Sequence, residues 1–119
     1  MADAEVIDRA TLNNLLVTVG DDMDFFDDLM STFFDDAPKL LGDMRRATET
    51  GQAEELRRAA HSLKSNSANF GATALTGMCK ELEELGKGGV TDVDDRLAKA
   101  ETEYHRVRDA LQTLRASGL

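Results

Sequence analysis

His61 is one of two histidines in the sequence, and a lysine, Lys64, follows it by three residues. Both lie in the run Ala60-His61-Ser62-Leu63-Lys64-Ser65-Asn66-Ser67-Ala68-Asn69-Phe70-Gly71-Ala72, with small side chains four and seven residues after the histidine. An imidazole nitrogen is a competent nucleophile at neutral pH without further activation. A lysine one helical turn away can offset the charge of an anion bound to it, with a Coulomb gain near a protein surface on the order of a few kcal/mol. A phosphoryl group suits that pair. In the middle of a helix no backbone N–H is free to hold a phosphate, so side chains must do it. The chain has no glycine-rich phosphate loop of either common pattern, so a partner must supply the phosphoryl group and remove it.

The surroundings of His61 follow from the helical period. At about 100° per residue, with Leu56 at zero, Leu56, Ala60, Leu63, Ser67 and Phe70 fall within about 80° of one another and form a core side. His61 falls near 140°, with Lys64 near 80°, Arg57 near 100°, Ala68 near 120° and Ser65 near 180°. The ring is therefore expected to face outward between two cations, over the small side chains of Ser65 and Ala68. Ser67 is expected inside, its hydroxyl returning to the Leu63 carbonyl. A lone exposed histidine is most often a surface residue with no role. Against that reading stand the flanking cations, the small neighbours and the lack of any rival reactive group.

The other candidates are weaker. His105 reads as plain surface beside Tyr104. Cys79, the single cysteine, reads as a small, partly buried side chain beside Met78 and permits no internal disulfide. The pairs Asp21-Asp22, Asp27-Asp28 and Asp35-Asp36 diverge on a helix and read as caps and solvated face. No metal site is expected, because neither histidine has ligands at helical spacing that make a cluster.

Positioning His61 requires a scaffold, and nearly the whole chain follows a period near 3.6. Helices are expected at about 8–18, 22–50, 53–69, 72–86 and 92–115. Asp8 and Asp22 stand where caps belong, and Thr91 with Asp94 resembles a capping box. Phe26, Met30, Phe33, Ala37, Leu40 and Met44 form the stripe of the second helix, widened by Phe25, Leu29, Phe34 and Leu41, with a kink expected at Pro38. Leu75, Met78, Leu82 and Leu85 serve the fourth helix, which Gly86 is expected to end. Val93, Leu97, Ala100, Tyr104, Val107, Leu111 and Leu114 serve the last. The architecture expected is all-α, an antiparallel up-down-up-down four-helix bundle with a short extra N-terminal helix, in one domain over 1–119.

In a hairpin turning near Gly51, residues near 41 come level with residues near 61. Candidates for contact with a partner are thus Arg57 and Ala68 on the third helix and Phe34, Leu41, Arg45 and Arg46 on the second. Arg58 and Lys80 come to the same end. The acidic residues concentrate elsewhere, at 21–36, 81–84 and 92–103.

The formal net charge of −9 argues against nucleic acid as a partner, since phosphate backbones need Lys and Arg to neutralise them. A hydrophobic fraction of 41% marks a globular chain, and no apolar run nears the roughly 20 residues that span a bilayer. The start, Met-Ala-Asp-Ala-Glu, is too acidic for a targeting sequence, and the last few residues are expected to fray. A cytoplasmic monomer is expected.

The run from His61 to Ala72 resembles the signature of histidine-containing phosphotransfer (HPt) domains: His, then Leu-Lys, small residues and Gly-Ala. Ile7-Asp8, Leu12, Leu16, Gly20-Asp21, Phe25, Phe33 and Ala37-Pro38 are similar to that family's opening helices, so the resemblance covers roughly residues 5 to 115. It implies that His61 accepts a phosphoryl group from an aspartyl-phosphate on a receiver domain and passes it to another receiver. It also implies that Lys64 steadies the phosphate, and that the receiver docks on the second and third helices. On this resemblance the chain itself is expected to need no cofactor and to have no kinase activity of its own, the receiver bringing the Asp and the Mg²⁺. Ser65 departs from the glycine usual there. Its side chain either narrows the approach of a receiver or bonds the unphosphorylated ring nitrogen and orients the ring; the second is preferred. The rival function is a non-catalytic module that sequesters a receiver or another regulator.

Overall fold

Caps and apolar stripes set the helices, and they fall close to where the period places them. The structure, a computed structural model describing residues 6–118, has α1 (Arg9–Thr18), α2 (Met23–Thr50), α3 (Ala53–Asn69), α4 (Thr73–Lys87) and α5 (Asp94–Ala116). The acidic start lies outside the described residues. The Asp22 carboxylate caps α2 by accepting the Phe25 N–H at 3.1 Å. At Asp8 the carboxylate accepts the Thr11 hydroxyl at 2.6 Å and no backbone N–H. The capping box expected at Thr91 does not form. Val93 turns into the core instead, α5 begins at Asp94, and the Asp94 carboxylate is taken by Arg45.

Each helix of the bundle packs on its neighbours in sequence, and α5 closes the ring against α2. Ion pairs fix the antiparallel sense of that closure. Arg115 at the end of α5 holds Asp27 at the start of α2 with bonds of 2.7 and 3.1 Å, while Arg45 late in α2 holds Asp94 and Glu101 early in α5. Asp27 is thereby held below the usual carboxylate range, chiefly by its hydrogen bond to Arg115. The 28 residues of α2, at about 1.5 Å each, account for the 43 Å length of the molecule. The shorter α3 and α4 leave one end of the bundle open, and α1 covers it. There Leu12 is fully buried and Leu16 nearly so, and the Asp8 N–H donates to the Gly71 carbonyl at 2.7 Å.

Two expectations about the core change. Leu41, not Leu40, is the buried member of its pair on α2, and Phe25, expected to widen the stripe, is 48% exposed. The helix runs unbroken through Pro38. Proline has no N–H for the Phe34 carbonyl four residues earlier, and the Tyr104 hydroxyl of α5 donates to that carbonyl at 3.5 Å. Phe70, at the end of α3, stacks on Phe33 at 5.0 Å between ring centroids and meets Phe26 edge-on at 6.2 Å. Those rings lock the lower end of α3 against α2.

Ser67 is fully buried, but its hydroxyl does not reach the Leu63 carbonyl and has no partner in the described structure. An unpaired buried hydroxyl contributes no net hydrogen bond and keeps its desolvation cost. Ser67→Ala is accordingly expected to leave stability unchanged or raise it by up to about 1 kcal/mol, as read from urea denaturation.

Candidate functional site

The inward stripe of α3, with Leu56, Ala60, Leu63, Ser67 and Phe70 all buried, turns His61 outward. The side chain is 57% exposed. What lies beside it is set by how closely α4 approaches. Gly86 is the penultimate residue of α4, within one residue of the expected end, and lies against the first turn of α3. A Cβ there would lie 2.9 Å from both the Ala53 carbonyl oxygen and the Arg57 nitrogen. Only a residue without a side chain lets the two backbones come so near. Glu83, one turn earlier on α4, is brought across to the ring as a result.

Glu83 bridges the two residues singled out in the sequence. One carboxylate oxygen, Oε2, lies 2.7 Å from His61 Nδ1, and the other, Oε1, lies 2.6 Å from Lys64 Nζ. The hydrogen bond from Lys64, joined by that from His61, outweighs partial burial and holds the Glu83 carboxyl below the usual carboxylate range. An ionised carboxylate can only accept, so the imidazole proton resides on Nδ1. Nε2, at the other edge of an exposed ring, then carries the lone pair. That is the arrangement of an oriented nucleophile. The Cys79 thiol, fully buried, offers no competition, because burial pushes it up to about 12 against the weaker pull of Lys64.

Not every expected neighbour joins the ring. Arg57 spends its guanidinium on Glu54, at 2.8 and 2.6 Å, and with Arg58 lowers that carboxyl to about 2. It lines a groove between α3 and α4 with Lys64, Lys80, Lys87, Glu54, Glu83 and Glu84, so Lys80 does reach this end. Ser65 is exposed and makes no hydrogen bond to the ring; the nitrogen it was expected to hold is held by Glu83. Ala68 is exposed on α3, two turns beyond His61. Arg46 pairs with Asp43 and borders a shallow groove with Arg58 and Ser62 on the α2 flank.

Arg45, Phe34 and Leu41 belong to a different surface. Arg45 bonds Asp94 and Glu101 of α5, Leu41 is buried, and the Phe34 carbonyl faces Tyr104. Residues 34, 41 and 45 are seven and four apart and so share one stripe, which is turned to α5. Reflection about Gly51 gave their level along the axis but not their side. The same reflection about Gly71 places residues near 81 level with His61, and it offers Glu83 as readily as Lys80. The sequence hides Glu83 because 81–84 reads as one of the acidic clusters lying away from the cations.

Among the described residues, no group of three or more His, Cys, Asp or Glu side chains is gathered as metal ligands are, and no helix is long and apolar enough to cross a membrane.

Comparison with known proteins places the chain in a family. The family model of the Hpt domain matches residues 28–117. The crystal structure of histidine-containing phosphotransfer protein B from Pseudomonas aeruginosa PAO1 is similar with a TM-score of 0.85 and 31% identity, over 96% of this chain and 97% of that one. Multistep phosphorelay regulator 1 of Schizosaccharomyces pombe is 27% identical over 85 residues, which make up 71% of this chain but 29% of that protein. The chain thus spans under a third of the length of that relative. With the family model over most of its length and a solved structure matched almost end to end, the chain belongs to the Hpt domain family, the histidine-containing phosphotransfer intermediates of phosphorelays.

Proposed function

We propose that His61 is the phosphoryl carrier of this chain, taking its group through Nε2 from an aspartyl-phosphate on a receiver domain and giving it to a second receiver. One observation carries this reading: an exposed imidazole whose Nδ1 is held by an ionised carboxylate at 2.7 Å. In the accepting step the Nε2 lone pair attacks phosphorus. The P–O bond to the aspartate breaks, and its electron pair returns to the aspartate carboxylate. Nδ1 keeps its proton throughout. Lys64, one turn from His61, provides positive charge beside the new phosphate. The receiver provides the aspartate and the Mg²⁺. The surface a receiver meets is then built by α3 and α4 around the ring, with Arg46, Arg58 and Ser62 at its α2 border.

Incubation with phosphorylated receivers from the same organism tests this. The label is expected to move from at least one receiver to this chain as phosphate that is stable in alkali and lost in acid. Failure of every receiver to pass its label would overturn the proposal.

A further inference from the structure

The Glu83 carboxylate faces Nδ1, the nitrogen that takes no part in bonding to phosphorus. When Nε2 of an Nδ1–H imidazole attacks phosphorus, no proton is lost, and the ring becomes cationic. That cation forms 2.7 Å from a carboxylate oxygen whose partner oxygen is pinned by Lys64. An opposite charge at that range favours the protonated ring. Resting on the reading of His61 as acceptor, the geometry points to Glu83 as the residue that keeps the Nδ1 proton on phosphorylated His61 and so holds the phosphoryl group in its readily transferred, short-lived form.

The electron count explains why the proton matters. In donation the N–P bond breaks, its electron pair returns to Nε2, and a P–O bond forms to the incoming aspartate or to water. With Nδ1 protonated, the ring leaves as neutral imidazole and no proton has to move. With Nδ1 bare, the ring must leave as an anion or collect a proton during the step, which is slower. Carriage in both directions then needs no general acid from either protein.

The charged groups around the ring leave this role to Glu83. From α3 come Glu54, Arg57 and Lys64, of which Arg57 is committed to Glu54. From α4 come Lys80, Glu83, Glu84 and Lys87. On the far flank of α3, Asp43 and Arg46 of α2 stand beside Glu55 and Arg58. Among the described residues only Glu83 places an oxygen within hydrogen-bond distance of the ring.

The full chain and its Glu83→Gln variant, both labelled with phosphoramidate so that no receiver is needed, are to be followed as they hydrolyse. Between about pH 6 and 9 the unaltered chain is expected to stay labile to higher pH than the variant, with a half-life about threefold to tenfold shorter near pH 8. Glutamine keeps the size and an accepting oxygen but not the charge, and a merely structural lesion would not move the pH profile. A second measurement needs no variant: nitrogen-15 NMR of the phosphorylated chain near pH 8 is expected to show a proton on Nδ1. Superimposable pH profiles, or a bare Nδ1, would overturn the role of Glu83. If phosphoramidate labels the chain equally with His61→Gln in place, the acceptor reading falls and this inference falls with it.

Discussion

Gly71→Ala is expected to lower the unfolding free energy by about 2–4 kcal/mol, read as a lower urea midpoint at unchanged slope. Two costs combine at this residue. Its φ is +75°, a left-handed conformation that a side chain strains. A Cβ would also lie 2.5 Å from the Asp8 carbonyl oxygen and 3.3 Å from the Asp8 nitrogen, both backbone atoms that cannot swing aside. The same contact carries the 2.7 Å bond from the Asp8 N–H to the Gly71 carbonyl, so relief of the clash would lift the start of α1 off the bundle. Val6, Ile7 and Leu12, all buried, would lose cover with it. The glycine of the Gly-Ala pair thus docks the N-terminal helix. An unchanged midpoint would mean that the turn after α3 relaxes freely.

Gly86→Ala is expected to act on both stability and transfer. Its Cβ would meet the Ala53 carbonyl oxygen and the Arg57 nitrogen at 2.9 Å and the Arg57 Cα at 3.2 Å. Parting α3 from α4 costs about 1–3 kcal/mol, from which the better helix propensity of alanine recovers up to about 1 kcal/mol. The larger consequence is functional. Glu83, one turn away, would be drawn off His61 and Lys64, and displacement of an orienting group by a fraction of an ångström is expected to slow phosphoryl transfer about tenfold. Gly42→Ala supplies the contrast. Nothing lies within 4 Å of its Cβ, so the same exchange on α2 should raise stability by about 0.5–1 kcal/mol and leave transfer alone. Equal behaviour of the two variants in a transfer assay would show that close packing of α3 on α4 does not position the site.

Those two glycines mark where reading the sequence stops. Apolar spacing was enough for five helices, their order and most of the buried residues, though not for Ala47, Ala59 and Ala110, whose small side chains add little to a stripe. It also sent His61 outward, with Leu56, Ala60, Leu63, Ser67 and Phe70 inward, as the bundle has them. Spacing within one helix cannot say which partner helix a flank meets. Arg45, Leu41 and Phe34 were therefore set beside His61 although their stripe faces α5. The bridge from Glu83 depends on the distance between two helices. That distance is set by a missing side chain at Gly86, and a glycine in a helical pattern reads first as a break. Ser65 was given the role of ring orienter because it lies on the same helix as His61, whereas the group that fills the role comes from the neighbouring helix.

Whether phosphate rides on the imidazole of His61, as proposed, is decided by one comparison. A phosphorylated receiver is mixed with the unaltered chain and, separately, with His61→Gln, which at a 57% exposed position is expected to leave the helical fold intact, as circular dichroism checks. Alkali-stable, acid-labile label is expected on the unaltered chain and none on the variant. Label retained by His61→Gln would contradict the proposal.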